Sequence, residues 1–197
     1  MAIFITFFHN ALAFFYMVTR NMGIPNYGLA IVFFTCSFRA LIWPLTRWQA
    51  KKMKAFQELT PHIQRIKETY KNDYQKMQTE LAMQYRKSGV NPLAGFLPVL
   101  VQMPILTGMY YSIQSFSYVS QPNFLWVENL AVSDPLYVIP VLVAISAFLL
   151  QKNSSTNKAL AVGLPIFIGI MAVHLPAGVG VYWISGNLIQ WGQNYFS

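Results

Sequence analysis

Charged side chains are kept out of long stretches of this chain, and that segregation limits the fold more than any single motif does. All six acids (Glu58, Glu68, Asp73, Glu80, Glu128 and Asp134) fall within 58–80 or 128–134, and ten of the 14 basic residues lie between Pro44 and Pro92. Most of the remainder is apolar runs at 26–46, 93–117, 135–151, 159–175 and 177–196. Each approaches the ~20 residues that cross a hydrocarbon core, the third and fourth being short. Only 10% of residues are charged, against about 25% in an average soluble domain. The chain therefore reads as an all-α, polytopic membrane protein with a five-helix transmembrane core.

The charges also orient it. Under the positive-inside rule the basic segment 47–92 and the 152–158 loop, bounded by Lys152 and Lys158, are cytoplasmic, which places the 118–134 loop with its acids outside. Tyr118, Phe124, Trp126 and Tyr137 read as an interfacial aromatic belt on that external side. Pro98, Pro104, Pro140, Pro165, Gly163 and Gly169 interrupt the spans and suit bent helices around a wet space. The last two spans meet at Pro176 in an expected external hairpin.

Within 47–92, Phe56, Leu59, Ile63, Ile66 and Tyr70 recur at alternating spacings of three and four, and Tyr74, Met77, Leu81 and Tyr85 continue the stripe after Asn72-Asp73. That pattern predicts an antiparallel helical hairpin with a coiled-coil-like seam, broken or kinked at Thr60-Pro61. Lys51, Lys52, Lys54, Arg65 and Lys67 point outward, toward anionic lipid headgroups or ribosomal RNA. Interspersed acids argue against sequence-specific nucleic-acid binding. Residues 1–25 read as an amphipathic interfacial helix on the external side, with Phe4, Phe7, Phe8, Ala11, Phe15 and Val18 on one face; a sixth span is the alternative.

One charge breaks the segregation. Arg39 lies in the apolar run 27–44, and no membrane-length apolar run holds an Asp or Glu to pair with it. Such an arginine costs roughly 2.5–3.5 kcal/mol at a helix centre on insertion scales and persists where it meets water or a polar cavity. Thr35 shares its face at i, i+4, and Gln102, Gln151, Tyr182 and Asn187 are further polar groups in or at the ends of spans. Taken singly, Gln102 and Asn187 read as glue between helices.

Catalytic chemistry finds little support. Cys36 is the one cysteine, there is no His-Glu-x-x-His zinc motif, and no Gly-rich Lys-Ser/Thr loop for a nucleotide. Ser185 with His174 fails as an intramembrane protease pair because Trp183 stands where the nucleophile motif needs glycine. Neither an enzyme nor a cofactor is expected.

Several motifs together resemble one family. The run Phe38-Arg39-Ala40-Leu41-Ile42-Trp43-Pro44-Leu45-Thr46, the segment Asn91-Pro92-Leu93-Ala94-Gly95-Phe96-Leu97-Pro98, the signature Gln102-Met103-Pro104-Ile105, and Pro176-Ala177-Gly178 through Tyr182-Trp183 to Asn187-Leu188 are similar to the YidC/Oxa1/Alb3 membrane protein insertases, of the compact bacterial type. The resemblance implies a hydrophilic groove open to the cytoplasm and lipid, lined by Arg39 and Thr35, and substrate-helix contacts at Tyr182, Trp183 and Leu106; Gln102 and Gln151 join the expected substrate groove as polar side chains in or at the ends of spans. Trp183 stands where relatives often carry tyrosine, and Gly186 where they carry serine. It further implies a bacterial cell membrane location with a cytoplasmic C-terminus, and insertion of nascent membrane proteins without nucleotide hydrolysis. Membrane lipids, the Sec translocon, the ribosome and the signal recognition machinery are the further partners it implies. Two other readings remain open from sequence: a small anion carrier or channel centred on Arg39, and an assembly scaffold for membrane proteins.

Overall fold

The computed structural model describes residues 2–91, 93, 97–119, 122–151 and 158–195. These form eight helices: α1 (Ala2–Asn21), α2 (Tyr27–Leu41), α3 (Trp43–Thr69), α4 (Tyr74–Ser88), α5 (Leu97–Ser115), α6 (Val138–Gln151), α7 (Lys158–Ala172) and α8 (Ala177–Tyr195). Pro92 and residues 94–96 of the Asn91–Pro98 motif lie outside the described residues, as do 120–121 of the loop expected to be external and 152–157 of the loop expected to be cytoplasmic.

The span expected over 26–46 breaks at Ile42, where α2 and α3 meet at a 66° bend. Pro44 is the cause: it has no N–H and its ring clashes with the carbonyl four residues earlier, so it is tolerated only in the first turn of a new helix, where α3 places it. Pro61 behaves differently. The break expected there does not occur, and α3 runs unbroken through it to Thr69. Leu59 and Ile63, buried on either side of Pro61 against Leu81 of α4, hold the helix to its seam, with Ile66, Met77, Tyr85 and Val90 packed around them. Asp73 caps α4 by accepting from the Lys76 amide at 3.0 Å, and Gly89 ends it at φ 64°, a left-handed conformation that favours glycine. Tyr74, placed by its spacing in the seam, is 70% exposed.

The other helices share one apolar core. α6 packs on both α7 and α8, and α8 packs on α2. Residues 173–176 make a tight turn between α7 and α8, yet α6 mediates the packing of those two helices. Gly180 permits the close approach of α6 and α8, since a Cβ there would run into Ile139. The side of α6 and α7 away from the core exposes Val141, Ile145, Phe148, Ile166, Phe167 and Ile170. An apolar belt of that extent is a surface for hydrocarbon, not for water.

α1 packs against α2 and α5. It lies antiparallel along α2, with Tyr16 stacked on Tyr27 at 3.9 Å near one end and Phe8 against Phe34 and Phe38 toward the other. Its buried face is Phe8, Leu12, Tyr16 and Thr19, while Ile3, Phe7, Phe14 and Met17 stay exposed. Thr6, Asn10, Arg20 and Asn21 are exposed beside these apolar side chains. Residues 3–21 are also the one described single helix with the length and hydropathy to cross a bilayer; α2 and α3 together pass as a bent pair, and Val138–Gln151 and Ala161–Ala172 are shorter apolar helices.

The start of α8 is covered by the described part of the segment between α5 and α6. Val127 and Leu130 are fully buried there, and the Ala177 and Gly178 amides at the start of α8 donate to Val132 and Leu130 carbonyls at 2.7 and 2.9 Å. Asp134 is a buried cap, not simply an external charge: its carboxylate accepts from Leu136 N, Ile139 N and Trp126 Nε1 at 3.1, 2.7 and 3.1 Å. The expected aromatic belt divides. Tyr118 donates to the Ile113 carbonyl at 2.8 Å and Phe124 packs on Gly28, whereas Trp126 and Tyr137 face outward. Burial, reinforced by Tyr27, pushes the Tyr118 phenol well above its ordinary range and keeps it a donor.

Candidate functional site

Arg39, on the last turn of α2, is only 5% exposed. Its partner comes from α8: Nη1 donates to Gln190 Oε1 at 2.8 Å, while Nε has no hydrogen-bond partner. Tyr182, Gly186 and Gln190 recur every four residues and so share one face of α8. The guanidinium lies flat on that face because Gly186 has no side chain; a Cβ there would sit 2.8 Å from Nη2 and 3.2 Å from Nε. Farther up the same face, the buried Tyr182 hydroxyl accepts from Gln102 Nε2 of α5 at 3.4 Å. Arg39 is therefore enclosed, with a neutral acceptor as its hydrogen-bonding partner and no acid in any of α1, α2 or α5–α8. An open cleft of about 420 Å³ does exist, but it is apolar and lies between α1 and α2, lined by Phe7, Phe14, Phe15, Phe34 and Phe38 among others, without Arg39.

Residues 17–197 match the family described as "60Kd inner membrane protein". "Membrane protein insertase YidC 2" of Bacillus anthracis is 42% identical over 187 residues, 89% of this chain and 73% of its own length. "Membrane protein insertase MisCA" of Bacillus subtilis (strain 168) is 39% identical over 182 residues, 86% of this chain and 69% of its own.

The chain belongs to the YidC-type membrane protein insertase family.

A solved structure described as "Active YidC insertase crystal structure with the first transmembrane domain resolved" superimposes with a TM-score of 0.75 at 27% identity, over 98% of this chain and 46% of that one. The polytopic all-helical fold expected from the charge pattern is therefore the YidC fold.

In this YidC-type chain the expected site residues do not all converge. Thr35 is fully buried one turn from Arg39, but its hydroxyl donates back to the Ile31 carbonyl of its own helix. Gln102 joins Tyr182, and so ties α5 to α8. Gln151 closes α6 and makes no hydrogen bond to Arg39 or Tyr182. Trp183 and Leu106 are half-buried at the rim of the apolar core. Asn187 donates to Ser146 Oγ at 3.1 Å, which is glue between α8 and α6, and Ser185 donates to the Val181 carbonyl within α8. Lys51, Lys52, Lys54, Arg65 and Lys67 are all exposed on α3. Near the bend, Arg47 lies over the Trp43 ring at 4.6 Å and Lys52 over Trp48 at 6.0 Å, pairing cations with exposed tryptophans as at a membrane interface.

Gln190 and the contact with Gly186 were missed from sequence. The signal was present in the four-residue spacing of Tyr182, Gly186 and Gln190, but nothing in that spacing says which helix the stripe faces.

Proposed function

We propose that this YidC-type chain inserts newly made membrane proteins by receiving a polar or acidic translocated segment at Arg39, in a hydrophilic groove bounded by α2, α5 and α8, without nucleotide hydrolysis. The observation that carries the reading is the buried arginine whose hydrogen bond is to a neutral amide. Charge-assisted bonds to a carboxylate are roughly twice as strong as neutral ones, so an arriving acid gains where the resident groups leave donors unused. The substrate's apolar helix then moves past Tyr182, Trp183 and Leu106 into lipid, each Å² of apolar burial favouring exit by roughly 25 cal/mol. The membrane potential assists an acidic segment outward by up to about 2.3 kcal/mol per charge per 100 mV.

Around this site, α1 adds a further helix in the hydrocarbon, with the loop between α5 and α6 as the external seal. The α3–α4 hairpin, with its exposed cations, is the cytoplasmic surface that meets anionic lipid and the delivering machinery: ribosome, signal recognition components or Sec translocon. The test is insertion in reconstituted liposomes of a single-span client with an acidic translocated segment. Arg39→Ala should cripple it and Arg39→Lys largely preserve it; normal rates with Arg39→Ala would remove the electrostatic role.

A further inference from the structure

We infer that Gln190 is a resident stand-in for the substrate's carboxylate, and so sets how strongly this chain favours acidic over neutral translocated segments. The inference rests on Arg39 being the site that meets such segments.

The carboxamide oxygen of Gln190 resembles one oxygen of a carboxylate, and at 2.8 Å from Nη1 it occupies the place where such an oxygen would sit. Its occupancy is partial. A guanidinium presents five N–H donors in a fixed fork, and Nε here has none of its needs met. An amide satisfies one donor without cancelling the positive charge, whereas a Glu at the same place would neutralise it. The four-residue register brings Gln190 to the guanidinium from the helix that also carries Tyr182, and Gly186 lets the fork lie flat with the Nε edge undirected. An incoming carboxylate takes over the Nη1 bond and adds a second to the fork, while Gln190 swings aside on its flexible side chain. No acid in α1, α2 or α5–α8 competes for the same place.

The experiment uses the full chain in liposomes and two single-span clients that differ only in carrying two Asp or two Asn in the translocated segment. The readout is the ratio of acidic to neutral insertion rates, which a general loss of folding does not move in a defined direction. Gln190→Ala and the size-matched Gln190→Leu should raise the ratio, by roughly ten- to a hundredfold if one hydrogen bond to a charged group no longer competes. Gln190→Glu should drop it to the value found with Arg39→Ala. A ratio equal to or below wild type for both Gln190→Ala and Gln190→Leu, while Arg39→Ala lowers it, overturns the Gln190 role and leaves the Arg39 reading intact. A wild-type ratio in Arg39→Ala overturns both.

Discussion

If Arg39 is kept for clients and not for the fold, removing it together with its partner should leave the protein at least as stable. Burying the guanidinium in hydrocarbon costs roughly 2.5–3.5 kcal/mol, and its bond to Gln190, a hydrogen bond to a charged group, returns about 1.5–3 kcal/mol. The balance is near zero or slightly unfavourable. Gln190→Leu alone strands a buried charge and should destabilise by ~1.5–3 kcal/mol. Arg39→Met alone removes the charge but leaves the amide without its partner, so its effect should be small. Arg39→Met with Gln190→Leu replaces both by apolar groups of similar size and should match or exceed wild type by up to about 2 kcal/mol, as buried ion pairs replaced by packed hydrophobes often do. The same double variant should lose insertion of acidic clients. The assay is equilibrium unfolding in mixed micelles for the four members of the cycle. A double variant less stable than wild type by more than about 1 kcal/mol would refute the reasoning and make Arg39 a structural element of the α2–α8 contact.

Asp134→Ala should destabilise the external loop by ~2–4 kcal/mol, since it strands the Leu136 and Ile139 amides and Trp126 Nε1; protease added outside proteoliposomes should cut residues 116–137 faster, with Asp134→Asn intermediate. Gly180→Ala should force α6 from α8 at Ile139 and lower stability by about 1–3 kcal/mol, a loss that thermal unfolding should show partly recovered in Gly180→Ala with Ile139→Ala. Replacing Lys51, Lys52 and Lys54 by Gln should weaken binding to anionic vesicles by roughly 1 kcal/mol per residue near the surface, in a salt-dependent way that flotation assays measure.

Much of the architecture is legible in the sequence because it depends on short-range periodicity. The alternating spacing of Leu59, Ile63, Ile66, Met77, Leu81 and Tyr85 specifies a hairpin seam whichever way the hairpin points, and the structure packs those residues together. Pro44 marks a limit of that reading, since the span expected over 26–46 ran across it whereas α2 ends at Leu41 and α3 begins at Trp43. The absence of acids from the apolar runs isolates Arg39 as a chemical anomaly without any coordinates.

What only the tertiary structure decided is which groups meet. Gln190 lies 151 residues from Arg39 and reaches it because α8 packs on α2 with its Tyr182–Gly186–Gln190 face inward. Thr35, the neighbour that helical spacing offered, instead satisfies its hydroxyl within its own turn. Asp134 looks like an external charge until three donors converge on it, and helical spacing alone does not say that α1 packs on α2 and α5. Residue spacing defines the face of a single helix, but the rotation and depth at which two helices pack arise from the whole apolar core. An arginine set among apolar helices was therefore readable from the chain, while its enclosure and the neutral amide that holds it were not.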